Sequence, residues 1–271
     1  MITRRQVLKG ALLGSAAVGL GAWRREEKIR LGVASYSLRK FKRPQAIEMT
    51  KACEVRYINI KSFHLPYNLS PEELAAGRKE FDDAGLVVVG SGNNSINNEK
   101  DIATLFDYAK AARFSLLVIA PKPELLPKIE EAVKKSGISV AIHNHGPEDK
   151  IFPAPSDALK LIKDMDPRVG LCVDVGHTTR AGKDVVKEIA EAGARVLDMH
   201  MKDLKNLLDP KSQAPVGDGK MPVEDIFKEL VKMNYAGYVN LEYEIDENDP
   251  LPGMKKSFAH MRKIAAGLEG K

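Results

Sequence analysis

Cysteine is scarce in this 271-residue sequence, with only Cys53 and Cys172, each in its own apolar stretch and with no Cys-x-x-Cys pair. That excludes a structural zinc site built from thiolates and leaves two buried free thiols. Excess charge is scarce too. The 42 basic residues include Arg4, Arg5 and Lys9 within the first 22 residues, which hold no acid, so the remainder carries 39 bases against 37 acids. A body this close to neutral argues against a nucleic-acid partner. The run "GVASYSLRK" after the first apolar segment lacks the glycine-rich turn of a dinucleotide site, and no glycine-rich phosphate cradle is present. What remains, 44% hydrophobic and 29% charged, is a globular composition.

The start, "TRRQVLKGALLGSAAVGLGAW", places a basic patch before an uncharged stretch from Gly10 to Trp23. That stretch is shorter than the about 20 residues needed to span a bilayer. It suits the apolar core of a signal peptide, and Arg4-Arg5 followed by Val7, Leu8 and Lys9 resembles a twin-arginine export signal. Residues 1–22 are therefore expected to be a twin-arginine signal peptide and the protein periplasmic or exported, with no stable membrane insertion after cleavage.

From Lys28 onward eight short apolar runs alternate with amphipathic stretches: "IRLGVAS", "VRYINI", "LVVVG", "LLVIA", "ISVAIHNH", "VGLCVDVG", "RVLDMHM" and "YVNLEYE". The intervening helices are expected at Pro71–Ala84, Lys100–Ala112, Glu124–Ser136, Lys183–Ala192, Val223–Met233 and Met254–Ala266. Ser70-Pro71-Glu72-Glu73 reads as a helix start, and Gly85, Gly137, Gly193 and Gly237 as left-handed ends. Strands alternating with helices imply parallel pairing through right-handed crossovers. The expected fold is one α/β domain over residues 28–268, a (β/α)8 TIM barrel, with an open doubly wound sheet as runner-up.

In such a barrel the chemistry sits at the carboxyl ends of the strands. Five of the six histidines fall there. Strand two ends in Lys61 with His64 just after; strand five in His143 and His145; strand six in Asp174 with His177; strand seven in His200 and Lys202; strand eight in Glu242 and Glu244. Residues two apart on a strand share a face. His143, Asp174, His200 and Glu242 offer two nitrogens and two oxygens from successive strands, a donor set for one divalent cation. Each residue taken alone also reads as a hydrogen-bonded polar side chain.

"VDVGH", "MHMKD" and "LEYE", in that order on strands six, seven and eight, resemble the motifs of the xylose isomerase-like barrel superfamily, in its sugar phosphate isomerase and epimerase branch. The resemblance runs from about Ile29 to Ala266, and "IKSFHLP" and "AIHNHGP" resemble stretches of exported members. It implies a divalent metal held by Asp174, His200 and Glu242, a sugar-like small-molecule substrate, and an acid or base role for Glu242. The superfamily also holds dehydratases, hydroxypyruvate isomerases and endonuclease IV, so membership does not fix the reaction. One departure matters: where epimerases of the family carry a glutamate at the end of strand five, this chain has His143. Nitrogen in place of oxygen shifts the expected metal to manganese first, with zinc, cobalt or magnesium as alternatives. It also removes one partner of a two-glutamate proton exchange.

The expected activity is thus that of a metal-dependent isomerase or epimerase on a keto-sugar or related polyol, starting with proton abstraction next to a carbonyl. Glu242 is the leading base and Glu244 the second; His145 or His177 returns a proton, and Lys202 stabilises developing charge. Lys61, His64, His177 and Glu244 are expected to bind substrate. A dehydratase or lyase, or a non-catalytic carbohydrate-binding barrel, is the alternative. A homo-oligomer is allowed for. The long connection Leu204–Pro222 reads as a lid, and Asn93, Asn94 and Ser35–Ser37 as sugar contacts.

Overall fold

The computed structural model describes residues 28–269; the expected signal segment, residues 1–22, lies outside them. Eight strands close a barrel: β1 Leu31–Ala34, β2 Tyr57–Ile60, β3 Val87–Ile96, β4 Leu116–Pro121, β5 Ser139–His143, β6 Val169–Asp174, β7 Val196–Met201 and β8 Val239–Leu241. Every neighbouring pair is parallel, and β8 closes on β1 through Leu31 opposite Val239. The chain therefore folds as a (β/α)8 TIM barrel, not as an open sheet.

The helices are α1 Arg43–Ala52, α2 Pro71–Asp83, α3 Glu99–Ala111, α4 Leu126–Ser136, α5 Pro155–Ile162, α6 Val175–Arg180, α7 Val185–Ala192, α8 Val223–Lys232 and α9 Leu251–Glu269. Local chemistry starts and stops them. At α2 the Ser70 hydroxyl accepts from the Glu73 amide at 3.2 Å, and the Glu73 carboxylate accepts from the Ser70 amide at 2.8 Å. Helix α4 ends on Gly137 at φ 76°. Helix α8 ends differently from expectation: the left-handed residue is Asn234, φ 54°, and not Gly237.

Alternation along the strands sorts two cores. Ile58, Ile60, Leu171, Val173, Met199, Met201 and Leu241 join one large cluster with the helices. Leu116, Val118, Ala141 and Cys172 form a small separate one inside the barrel. Beside it stands a buried polar layer, with Asn59 and Asn240 side-chain amides donating to Asp198 at 3.0 and 2.7 Å. Burial pushes the Asp198 carboxyl up to about 6, with the His200 charge opposing. This layer carries the floor on which the carboxyl-end residues stand.

Candidate metal centre

The carboxyl ends of four consecutive strands bring the four expected ligands together. Asp174 on β6 lies opposite His200 on β7, and His143 on β5 opposite Cys172 on β6. One ligand atom each from His143, Asp174, His200 and Glu242 lie within 4.8 Å of one another. His143 Nε2 is 3.0 Å from His200 Nδ1 and 3.6 Å from Asp174 Oδ2, and His200 Nδ1 is 3.3 Å from Glu242 Oε2. All four residues are buried, Asp174 completely.

Asp174 has two tasks. Its Oδ1 accepts from the His177 amide at 2.8 Å and so caps α6, while Oδ2 is buried with no hydrogen-bond donor in suitable geometry. The cap explains the three-residue spacing in "VDVGH": the strand must end in an acceptor for the helix that follows. Asn144, pointing opposite to its histidine neighbours, accepts from the Asp174 amide at 2.9 Å and donates to Thr178 at 3.0 Å. The ligand-bearing turn is thereby fixed from behind.

Lys202 enters the same cluster. Its Nζ lies 3.0 Å from Asp174 Oδ2 and 2.9 Å from Glu242 Oε2, and it also bonds Glu244. Burial lowers its pKa, but the three carboxylates more than reverse this and hold the ammonium charged. Gly176 makes room for it, since a Cβ there would stand 2.6 Å from the Lys202 stem. Burial alone would raise the Glu242 carboxyl; Lys202 and then His200 hold it well below the carboxylate range. Asp174 is likewise lowered, against burial, by His177 and Lys202.

The two facing rings stand within hydrogen-bond distance, His143 Nε2 3.0 Å from His200 Nδ1. Burial drops His143 to about 3, so that ring is neutral. His200 is shifted the other way, raised despite burial by Cys172 and Glu242. Metal ligands stand about 2.0–2.2 Å from a tetrahedral ion, so their atoms sit roughly 3.4 Å apart. The spacings of 3.0–3.6 Å, with Asp174 Oδ2 paired to the Lys202 ammonium but making no hydrogen bond of good geometry, fit a divalent ion.

The outer residues divide. His145 is brought to the rim, with Nε2 2.7 Å from the Asn93 side-chain amide and Nδ1 3.2 Å from Asp149. His177 stands 3.9 Å from Asp174 Oδ2 and is held at Nδ1 by Arg180, 3.1 Å away. Lys61 bonds the Asn93 carbonyl and lies 6.0 Å from the centre of the Tyr36 ring. Glu244 reaches the cluster through Lys202, with its side chain 38% exposed. His64 is buried, its Nε2 bonds the Phe41 carbonyl at 3.1 Å, and its ring packs edge-on against Phe63. The turn after Lys61, closed by its carbonyl accepting from the His64 amide at 2.9 Å, sets the ring in loop packing.

Several site residues carry no signal in the sequence. Gln213 donates to the Glu242 carbonyl at 2.8 Å and accepts from the Glu244 amide at 2.7 Å, fixing the strand that bears both acids. It comes from the long connection after β7, and nothing local marks it. Arg180 belongs to α6, whose six residues are too few for a periodic pattern.

Known proteins resemble this chain in both sequence and shape. Residues 124–264 match the family model described as xylose isomerase-like TIM barrel. The rhizopine catabolism protein MocC of Rhizobium meliloti is 26% identical over 52% of this chain; the match spans 48% of that protein, about half its length. The inosose dehydratase of Clostridium botulinum strain Alaska E43 is 24% identical over 80% of each chain. Among solved structures, a D-tagatose 3-epimerase-like protein superposes with TM-score 0.71 at 17% identity, covering 88% of this chain and 99% of that one. The probable 3-DHS dehydratase AsbF of Bacillus anthracis gives 0.66 at 12%, covering 86% and 99%.

Proposed function

This chain belongs to the xylose isomerase-like TIM barrel family, and from that membership and the site geometry we propose a divalent-metal-dependent enzyme that removes the proton beside the carbonyl of a keto-sugar or keto-polyol. The observation that carries the reading is the buried meeting of His143, Asp174, His200 and Glu242 with Lys202 alongside. The ion is manganese first, with zinc, cobalt or magnesium as alternatives; when bound it supplies Lewis acidity toward a substrate oxygen.

The side chains then divide the work. Glu242 is held ionised by Lys202 and His200, which suits a ligand and makes it a weak base. The base role passes to Glu244, two residues beyond Glu242 and with its side chain 38% exposed. Its carboxylate takes the proton from the carbon next to the carbonyl, and the electron pair moves toward the carbonyl oxygen. The Lys202 ammonium stabilises the charge that builds there. His145, between Asn93 and Asp149, supplies a proton to the departing oxygen.

Of the outcomes open to this step, loss of a β-hydroxyl as water fits best. Proton return to the opposite face of the same carbon needs a second carboxylate across the substrate, and β5 offers His143 in its place. The inosose dehydratases among the relatives support the same outcome. Isomerisation, supported by the shape shared with the D-tagatose 3-epimerase-like protein, is the second reading. Incubation of manganese-loaded protein with keto-polyols and 3-keto sugars in deuterated water, followed by NMR, tests both. Loss of water supports the first reading and carbon-bound deuterium with retained hydroxyls the second; neither across the panel would end the proposal. The twin-arginine pattern at Arg4-Arg5 further suggests a periplasmic site of action, to be checked by fractionation of cells carrying an Arg4→Lys, Arg5→Lys chain.

A further inference from the structure

The sulfur beneath the metal centre has no part in the chemistry above. Cys172 is completely buried and sits two residues before Asp174 on the same inward face of β6, one rung deeper. One ligand atom each from His143, Cys172 and His200 lie within 4.8 Å of one another, a second set that shares its two histidines with the first. Each ring has a further nitrogen available. His143 Nδ1 and His200 Nε2 are both buried with no partner, in side chains 3% and 1% exposed. A metal-bound histidine normally hands its other nitrogen to an outer acceptor; here neither ring does so. Across the sulfur, Asp198 Oδ2 lies 4.0 Å from Sγ.

We propose that His143, Cys172 and His200 form a second, overlapping metal site selective for strongly thiophilic ions such as cadmium. Two nitrogens and one sulfur are a soft donor set, whereas His143, Asp174, His200 and Glu242 are a harder one. Because the histidines are common to both, the two sites are alternatives and cannot fill together. Occupation of the deeper one replaces the thiol S–H bond by a sulfur–metal bond, with the proton released to solvent. The charges balance, since one thiolate and the nearby Asp198 carboxylate match a divalent ion. A thiophilic ion drawn toward Cys172 leaves the level of Asp174 and Glu242, and the site then discriminates against such ions by misplacing them.

The test needs no substrate, so it fails or succeeds independently of the proposed reaction. Metal-free protein under reducing, oxygen-free conditions is titrated with cadmium, and the near-ultraviolet sulfur-to-metal charge-transfer absorption is followed. The expected result is a band saturating at one equivalent, retained in Cys53→Ala and lost in Cys172→Ala. Manganese should yield no such band and should shift the cadmium titration as a competitor. A wild-type protein that binds cadmium without the band overturns the proposal, as does a band that survives in Cys172→Ala. Simultaneous binding of one manganese and one cadmium would overturn the shared-ligand arrangement.

Discussion

Lys202 is the side chain on which the site's electrostatics turn. Three carboxylates surround its ammonium, two of them at 3.0 and 2.9 Å. That cation offsets one of the three carboxylate charges without a metal, and it repels a metal when one arrives. Lys202→Met should therefore bind manganese about tenfold more tightly or better, by calorimetry, while turnover falls through loss of charge stabilisation. Unchanged or weaker binding would show that the lysine does not compete. His64 illustrates a different residue-scale effect. Burial drops its pKa from 6.5 to about 4, so between those values the unfolded chain binds a proton that the folded one refuses. Stability contributed by the neutral ring is complete above pH 6.5 and is lost as pH falls toward 4, by on the order of 3 kcal/mol at most. His64→Gln should flatten the thermal midpoint between pH 4 and 6.5; an unaltered slope would assign the acid sensitivity elsewhere.

At the scale of elements, the connection Leu204–Pro222, which its length marks as a lid, is tied down along part of its course. It folds back as a ribbon, Asp203–Leu204 antiparallel to Gln213–Ala214. One buried carboxylate organises it: Asp203 accepts from the amides of Leu204 at 2.8 Å, Met221 at 2.9 Å, Gly217 at 2.9 Å and Gly219 at 3.0 Å. Two glycines are required because a Cβ at Gly219 would stand 2.0 Å from Asp203, and Gly217 adopts φ 100°. Asp203→Ala leaves those amides without their acceptor and should cost about 3 kcal/mol. Hydrogen exchange at Gly217, Gly219 and Met221 should speed up while β1–β4 stay protected; exchange unchanged at those amides would mean that the ribbon holds itself. The same contrast explains what the sequence discloses. All eight strands are legible because β-branched residues recur in short runs between punctuating turns. Helices α1, α5 and α6 are not, being short or weakly patterned. The ligands His143, Asp174, His200 and Glu242 are legible because a strand's period of two fixes their direction. Gln213 and the inward turn of His64 are not, because loop geometry is set by distant partners.

For the whole molecule, the position of the proposed ion around the ring matters more than its identity. His143, Asp174, His200 and Glu242 come from β5, β6, β7 and the end of β8, which are consecutive around the closed barrel. A single ion therefore ties one half of the barrel wall and leaves β1–β4 untouched. A ligand present at a thousand times its dissociation constant adds about 4 kcal/mol to folding. For a chain of this size that is roughly 10 °C of thermal midpoint. Chelation should lower the midpoint by about that amount, and added manganese should restore it. Asp174→Asn, which keeps the shape but removes the charge, should lie near the chelated value and respond to neither treatment. Exchange protection should fall on β5–β8 and hold on β1–β4. Equal loss on both halves, or no change in midpoint on chelation, would sever the proposed metal from the stability of the barrel and require another account of why four buried polar side chains meet at one point.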